Sequence, residues 1–280
     1  MAKRNYGWSK EKLDRYLREG RGKGELEHYK PWLKINDFSS MGRASRIKGW
    51  KTNRVHHLQS DIMTGFFYLL EWDDRVHDIR ETFPLLDAFD ELSIDEDLDF
   101  NLFKNTENKE QYVLTTSFLI TTYKEEKKEY FARSIKNSYE LEKKTTLEKL
   151  EIERRYWNRK GIDWALITEK EIPINRVKNI EWVHNSFFDN VYSGEMLDEK
   201  LLKYINSNIN MPLKDILEKF DEDNMFEEGT SLSIFKYLIS CKRVDIDMDI
   251  KIDLKKEIKN IINVMLGGER DVNDKFSISS

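Results

Sequence analysis

The sequence predicts an α/β domain followed by a small, mainly helical domain. Three observations carry that reading. Apolar and polar residues alternate at 76–85, 112–136 and 163–168, the period of strands. Helical-period apolar stripes precede the first of these stretches and separate the last two. Beyond "EKEIP" at 169–173, short helical segments dominate.

In chain order, "WSKEKLDRYLREG" opens on Ser9 as a cap, places Leu13, Tyr16 and Leu17 at helical spacing and stops at Gly20, giving a short amphipathic helix. "HHLQSDIMTGFFYLLEWDD" puts Leu58, Ile62, Phe66, Leu69 and Leu70 on one helical stripe, with Met63 and Phe67 beside it. This predicts a core-facing helix. "VHDIRETFPL" reads as a strand, and the acidic, irregular stretch 87–109 as a surface loop. "YVLTTSFLITTYKEEKKEYFARSIK", residues 112–136, reads as two strands joined by a charged turn and closing on Lys136. "TTLEKLEIERRYWNRKG" is a helix with Leu147, Leu150, Ile152 and Tyr156 apolar and Gly161 as its stop, followed by the strand "DWALIT". Helices are expected next at 197–207, 212–220 and 230–241, then the alternating "VDIDMDIKIDL" and a last helix near 255–266. That is a small helical domain with one β element, as in a winged helix. The domains are 1–172 and 173–280, and the tail "GGERDVNDKFSISS" reads as flexible.

Composition narrows the function classes. The single cysteine, Cys241, excludes an internal disulfide and a cysteine-based zinc site and fits a reducing compartment. "MAKRNYGWSK" lacks the apolar core of an export signal and no run is long enough to cross a bilayer, so a soluble, cytoplasmic protein without a membrane partner is expected. Net charge is −5, yet residues 1–54 hold 15 Lys and Arg against 6 Asp and Glu, together with 6 of the 12 glycines. One end is therefore suited to a polyanion, with loops or an arm that orders on a partner. A solvated basic surface is the competing reading.

A strand–turn–strand closing on lysine is the frame of a metal-dependent nuclease, in which carboxylates hold hard cations that ionise a water and neutralise the developing phosphorane. The usual arrangement sets one acid on a core-facing helix, one on the first strand and a Glu/Gln-x-Lys on the second. Here Lys136 stands where the lysine belongs, but the helix offers Met63, the first strand Ser117 and the second strand Ser134. A thioether and a neutral hydroxyl do not replace carboxylates for Mg²⁺. Asp61 lies about 200° round the helix from Met63. Asp73 and Asp74 sit at the helix end, and Glu125, Glu126 and Glu129 in or beside the turn, far along the strand from Ser117. No metal cofactor is expected unless ligands have relocated, in which case it would be Mg²⁺. Arg43, Arg46, Lys48, Lys51 and Arg54, interrupted by Trp50, form a basic run suited to phosphate contact from a loop. Of the adjacent His56 and His57, one is expected to cap or touch phosphate while the other packs.

The blocks "EGRGKGELEHYKPWL", "GRASRIKGWKTNRVHHLQSD", "LEWDDRVHDIRETFPLL", "TLEKLEIERRYWNRKGIDWALIT" and "IEWVH" resemble the TnsA family, the endonuclease subunit of heteromeric Tns-type transposases. The resemblance covers residues of about 15 to 185 and implies a restriction-endonuclease-like N-terminal domain and a winged-helix C-terminal domain. It also implies that the subunit cuts the five-prime ends of an element, with a TnsB transposase acting on the three-prime ends under a TnsC ATPase. Carried over, the family's helix glutamate falls on Met63, its strand aspartate on Ser117 and its Gln/Glu-x-Lys on Ser134 and Lys136, so only the lysine survives. The expectation is a catalytically degenerate TnsA-like subunit that assembles double-stranded transposon-end DNA with a TnsB-like transposase and a TnsC-like ATPase. Two alternatives stand beside it: an active endonuclease with relocated ligands, and a stand-alone DNA-binding regulator.

Overall fold

The computed structural model describes residues 7–37, 43–188 and 194–264, which leaves the tail expected from Gly267 onward outside the described residues. The chain divides into two compact units between Ile172 and Pro173.

The first unit is built on a four-stranded sheet in the order β3-β4-β5-β6, from β3 (Val76–Pro84), β4 (Thr115–Lys124), β5 (Lys127–Ile135) and β6 (Asp163–Ile167). Strands β3, β4 and β5 form an antiparallel meander, and β6 returns parallel to β5, with Ile135 opposite Ile167. A two-residue turn joins β4 to β5, and both Glu125 (φ 49°) and Glu126 (φ 65°) take the left-handed backbone that such turns require. The parallel return needs a crossover, which is α4 (Lys144–Arg159). It ends at Gly161, whose φ of +67° suits a residue without Cβ.

Helix α2 (Asp61–Trp72) begins where the Ser60 hydroxyl accepts from the Met63 N–H at 3.2 Å. It buries Phe66, Phe67, Leu69 and Leu70, and the Phe66 ring centroid lies 5.9 Å from that of Phe118 on β4. Leu58, placed on the helical stripe by its spacing, belongs instead to a hairpin of β1 (Ser45–Lys48) and β2 (Val55–Leu58). The Ser60 cap sets the helix start after it. On α4, Leu150, Ile152, Tyr156 and Trp157 are buried, as the apolar spacing indicates, but Leu147 is 51% exposed.

Two segments differ from the sequence reading. Residues 87–109 are not merely a surface loop: Ala88, Leu92, Leu98 and Phe103 share a core cluster with Ile152 and Trp157 of α4. Their acids meet a basic stripe on that helix, Arg155 with Asp97 (2.5 Å) and Asp95 (3.2 Å), and Lys160 with Asp87 and Glu91 (2.8 Å each). The glycine-rich segment after α1 (Lys10–Arg18) is likewise folded rather than a free arm. Arg21 stacks 3.6 Å above the Tyr16 ring and pairs with Asp37 at 2.5 Å. Gly22, at φ +77°, lies so close to Pro84 that a Cβ would come within 2.3 Å of it.

The second unit contains α5 (Ile174–His184), α6 (Glu195–Ser207), α7 (Leu213–Asp223), α8 (Thr230–Ser240) and a short antiparallel pair, β7 (Asp245–Ile246) and β8 (Ile262–Val264). The helix expected near 255–266 is instead a 3-10 turn, Ile258–Asn260, leading into β8. The backbone here is taken up by the segment between α6 and α7: Leu213 N–H donates to Lys256 O (3.0 Å) and Ile258 N–H to Met211 O (3.2 Å). Asn179 of α5 donates to Met248 O and Ile250 O, and Arg176 forks onto Asp249 with two 2.9 Å bonds, fixing the segment that reads as alternating.

Candidate functional site

The positions onto which the family's active-site residues fall are each taken up by the fold. Met63 is buried one turn before Phe66 in the apolar layer beneath α2. The Ser117 hydroxyl accepts from the Ile135 N–H at 2.9 Å, so it serves the β4–β5 pairing. Ser134 is buried and donates to Glu153 on α4, while Trp164 Nε1 donates to Ser134 at 3.0 Å. Lys136 follows the end of β5, with its N–H donating to Ile167 O at 3.1 Å, and its ammonium lies 3.4 Å from Glu140 four residues on.

Glu153 is the carboxylate that the sequence reading missed. It is 1% exposed and its Oε2 accepts from Thr116 Oγ1 at 2.9 Å as well as from Ser134. Trp157 Nε1 in turn donates to Thr116 Oγ1 at 2.8 Å, and Lys149 approaches the other carboxylate oxygen at 3.4 Å. A signal was present: Leu150, Glu153 and Trp157 follow one another at helical spacing, which places an acid on the buried stripe. The acids weighed as substitutes go elsewhere. Asp61 faces Arg43 at 3.9 Å, and Asp73 is held by Arg75 at 2.6 Å. Among the described residues no group of three or more His, Cys, Asp or Glu side chains converges so as to hold a metal ion. The donors at Met63, Ser117 and Ser134 therefore do not fit the hard, anionic shell that Mg²⁺ demands.

Of the basic run, Arg46 and Lys48 lie on β1, Arg43 just before it, and Lys51 and Arg54 in the connection to β2, and the structure divides its members. Arg46 and Lys48 are exposed on β1. Arg46 also reaches Asn36 at 2.6 Å, Arg43 is exposed, and Lys51 is half-buried in the turn. Arg54 and His56 point inward, away from any phosphate. Arg54 donates to both oxygens of the fully buried Glu81 (2.9 and 2.6 Å), His56 Nδ1 lies 2.9 Å from the same carboxylate, and the His57 N–H donates to it at 3.1 Å. Thr52 Oγ1 closes the chain 2.7 Å from His56 Nε2. Burial alone would raise the Glu81 pKa, but His56 and Arg54 together outweigh it and hold the group ionised far below the usual carboxylate range. His57 is half-buried, which lowers its pKa, and its Nδ1 accepts from the Ile35 N–H at 3.4 Å. Burial thus disfavours the imidazolium form that a cationic phosphate contact would need.

A mixed sheet between helices, closing on Lys136 and followed by a helical unit, is an endonuclease-type α/β architecture. Residues 73–169 match the family described as TnsA-like endonuclease N terminal, and residues 171–248 that described as TnsA endonuclease C terminal. The chain is 36% identical over 253 residues to the transposon Tn7 transposition protein TnsA of Escherichia coli, a match covering 90% of this chain and 82% of the relative. The chain belongs to the TnsA family. Among the described residues no helix is long and apolar enough to cross a membrane.

Proposed function

We propose that this protein is a TnsA-like subunit of a DNA transposition complex that has lost metal-dependent cleavage and acts in assembly. One observation carries the reading: where the family resemblance calls for carboxylates, Met63 is core, Ser117 is spent on the Ile135 N–H and Ser134 on Glu153. With no anionic shell, the Lys136 ammonium would repel a divalent cation. The partners of this reading are double-stranded transposon-end DNA, a TnsB-like transposase and a TnsC-like ATPase, in the cytoplasm. Arg43, Arg46, Lys48 and Lys51 are the phosphate contacts, presented by β1 and the connections at its two ends.

The order α6, an isolated β-bridge from Pro212 to Glu257, α7, α8, β7, β8 supports a winged-helix reading of the second unit. Helix α8 stands where such a fold reads a groove, yet Ile234, Phe235, Leu238 and Ile239 are buried and Lys236 lies 4.5 Å over the Trp182 ring of α5.

Glu153 beside Ser134 is the observation that keeps a second reading, an endonuclease with relocated ligands. A plasmid-nicking assay on transposon-end DNA, with Mg²⁺ or Mn²⁺ and the cognate transposase, separates the two. The expected result is no nicking by the native chain and nicking by Met63→Glu/Ser117→Asp. Nicking by the native chain that Glu153→Gln and Lys136→Ala each abolish would replace the first reading with the second.

A further inference from the structure

Helix α4 does not cover the sheet along its whole length. Past its last turn, where Gly161 leads into β6, an open cavity of about 800 Å³ lies against the β4–β5 hairpin. Ser117 stands near the start of β4, whereas the cavity borders Arg80, opposite Leu119 on β4, and Tyr130, opposite Thr121. It shares Trp157 with the Glu153 network but is lined by none of Met63, Ser117, Ser134 or Lys136. Its size is that of a ligand or anchor pocket.

Its walls are aromatic, with Phe83, Tyr130, Tyr156 and Trp157 among them. Arg80 is set between two of these rings, 5.5 Å from the centroids of both Phe83 and Tyr130, and is 8% exposed. Its Nη2 donates to Thr121 Oγ1 at 3.1 Å and its buried Nε forms a 3.5 Å ion pair with Asp78, which leaves Nη1 without a hydrogen bond to these two residues. A guanidinium carries five donors. This one has more capacity than Thr121 uses, and it lines the cavity.

The lip decides what kind of acceptor would use that capacity. Lys128 is held by Glu25 at 2.7 Å, Lys160 by Asp87 and Glu91, and Asp163 by Arg133 at 2.6 Å. With these cations matched, Arg80 by Asp78 among them, and Glu129 beside them, the opening has no excess positive charge to draw phosphate, in contrast to the β1–β2 ribbon. A neutral acceptor next to an apolar group suits it. We infer that this cavity is a docking pocket for a partner protein: an extended segment places one aromatic or large aliphatic side chain against Tyr130 and Trp157, and its peptide carbonyl accepts from Arg80.

The test pans a phage-displayed heptapeptide library on the full-length chain and titrates the enriched peptides, made synthetically, by calorimetry. Enriched peptides are expected to share one aromatic or large aliphatic residue. Affinity should fall at least about tenfold in Tyr130→Ser and be largely kept in Tyr130→Phe. Arg46→Ala on the ribbon should leave it unchanged. Tyr130 is half-buried at the rim, and the circular dichroism melt of each variant checks that the sheet is intact. The inference is overturned if nothing enriches above background, or if the peptides bind Tyr130→Ser as well as native protein. It is equally overturned if the pocket instead takes a short oligonucleotide, or if Tyr130→Ser abolishes self-association of the chain.

Discussion

Glu81 and Glu153 are both buried carboxylates of the first unit, and they are satisfied in opposite ways. Glu81 on β3 is met by a full cation, the Arg54 guanidinium gripping both oxygens, with the His56 imidazole and the His57 N–H beside it. Glu153 on α4 is met mainly by neutral hydroxyls, those of Thr116 and Ser134, with one lysine 3.4 Å away. The first arrangement cancels the carboxylate locally and leaves it nothing to offer a ligand; it ties the basic ribbon to the sheet. The second leaves a carboxylate matched by one partly exposed lysine and otherwise by neutral hydroxyls, next to a position the family resemblance marks as part of the active site. Burial alone does not separate a strut from a remnant; the charge of the partners does.

The comparison breaks most sharply at Glu81. Glu81→Gln leaves Arg54 buried beside a neutral group, and losing one partner of a buried ion pair costs about 3–5 kcal/mol. Six of the seven tryptophans precede residue 173, so urea unfolding followed by tryptophan fluorescence reports on this unit. A large drop in midpoint is expected, and a shift under about 1 kcal/mol would show that Glu81 is not the strut described. The same group sets an acid limit. Its folded pKa is depressed, so its contribution is complete above the unfolded glutamate pKa of about 4.3 and is lost as pH falls below it. Native protein should lose stability steeply below about pH 5, and Glu81→Gln should flatten that slope. An unchanged slope would assign acid unfolding to other carboxylates.

Glu153→Gln should do much less to stability. The amide oxygen can still accept from Thr116 and Ser134, and removing the charge relieves its desolvation, so a shift within about 1 kcal/mol is expected. A loss as large as that of Glu81→Gln would remove the distinction between the two acids.

Part of this was legible in the chain. The β4–β5 hairpin, the lysine that closes it and the α4 crossover follow from alternation and helical spacing, because those patterns are local. Arg54 and His56 read as surface cations because their partner lies 27 and 25 residues away, on another strand. Nothing near them in sequence announces it. The 87–109 segment misled for the same reason: its acids look solvated until Arg155 and Lys160 of α4 are set against them. Leu147 erred in the other direction, an apolar residue at helical spacing that the fold leaves outside.

The smallest effect on stability, and the one that tests the division of the basic run, belongs to the ribbon itself. Arg46→Ala and Lys48→Ala remove exposed side chains and should each move stability by no more than about 0.5 kcal/mol. If they contact phosphates, binding to duplex DNA should weaken for all sequences alike. The slope of log K against log salt should shrink by about 1 for each phosphate that is no longer neutralised. Arg54→Lys is the informative control. It keeps the charge but not the fork that grips both oxygens of Glu81, so it should lower the unfolding midpoint while the salt slope of the folded protein stays unchanged. If Arg54→Lys also reduces the slope, the arginine or the ribbon geometry it holds takes part in DNA binding. If Arg46→Ala and Lys48→Ala leave the slope untouched, the exposed hairpin is a solvated surface and the polyanion must bind elsewhere.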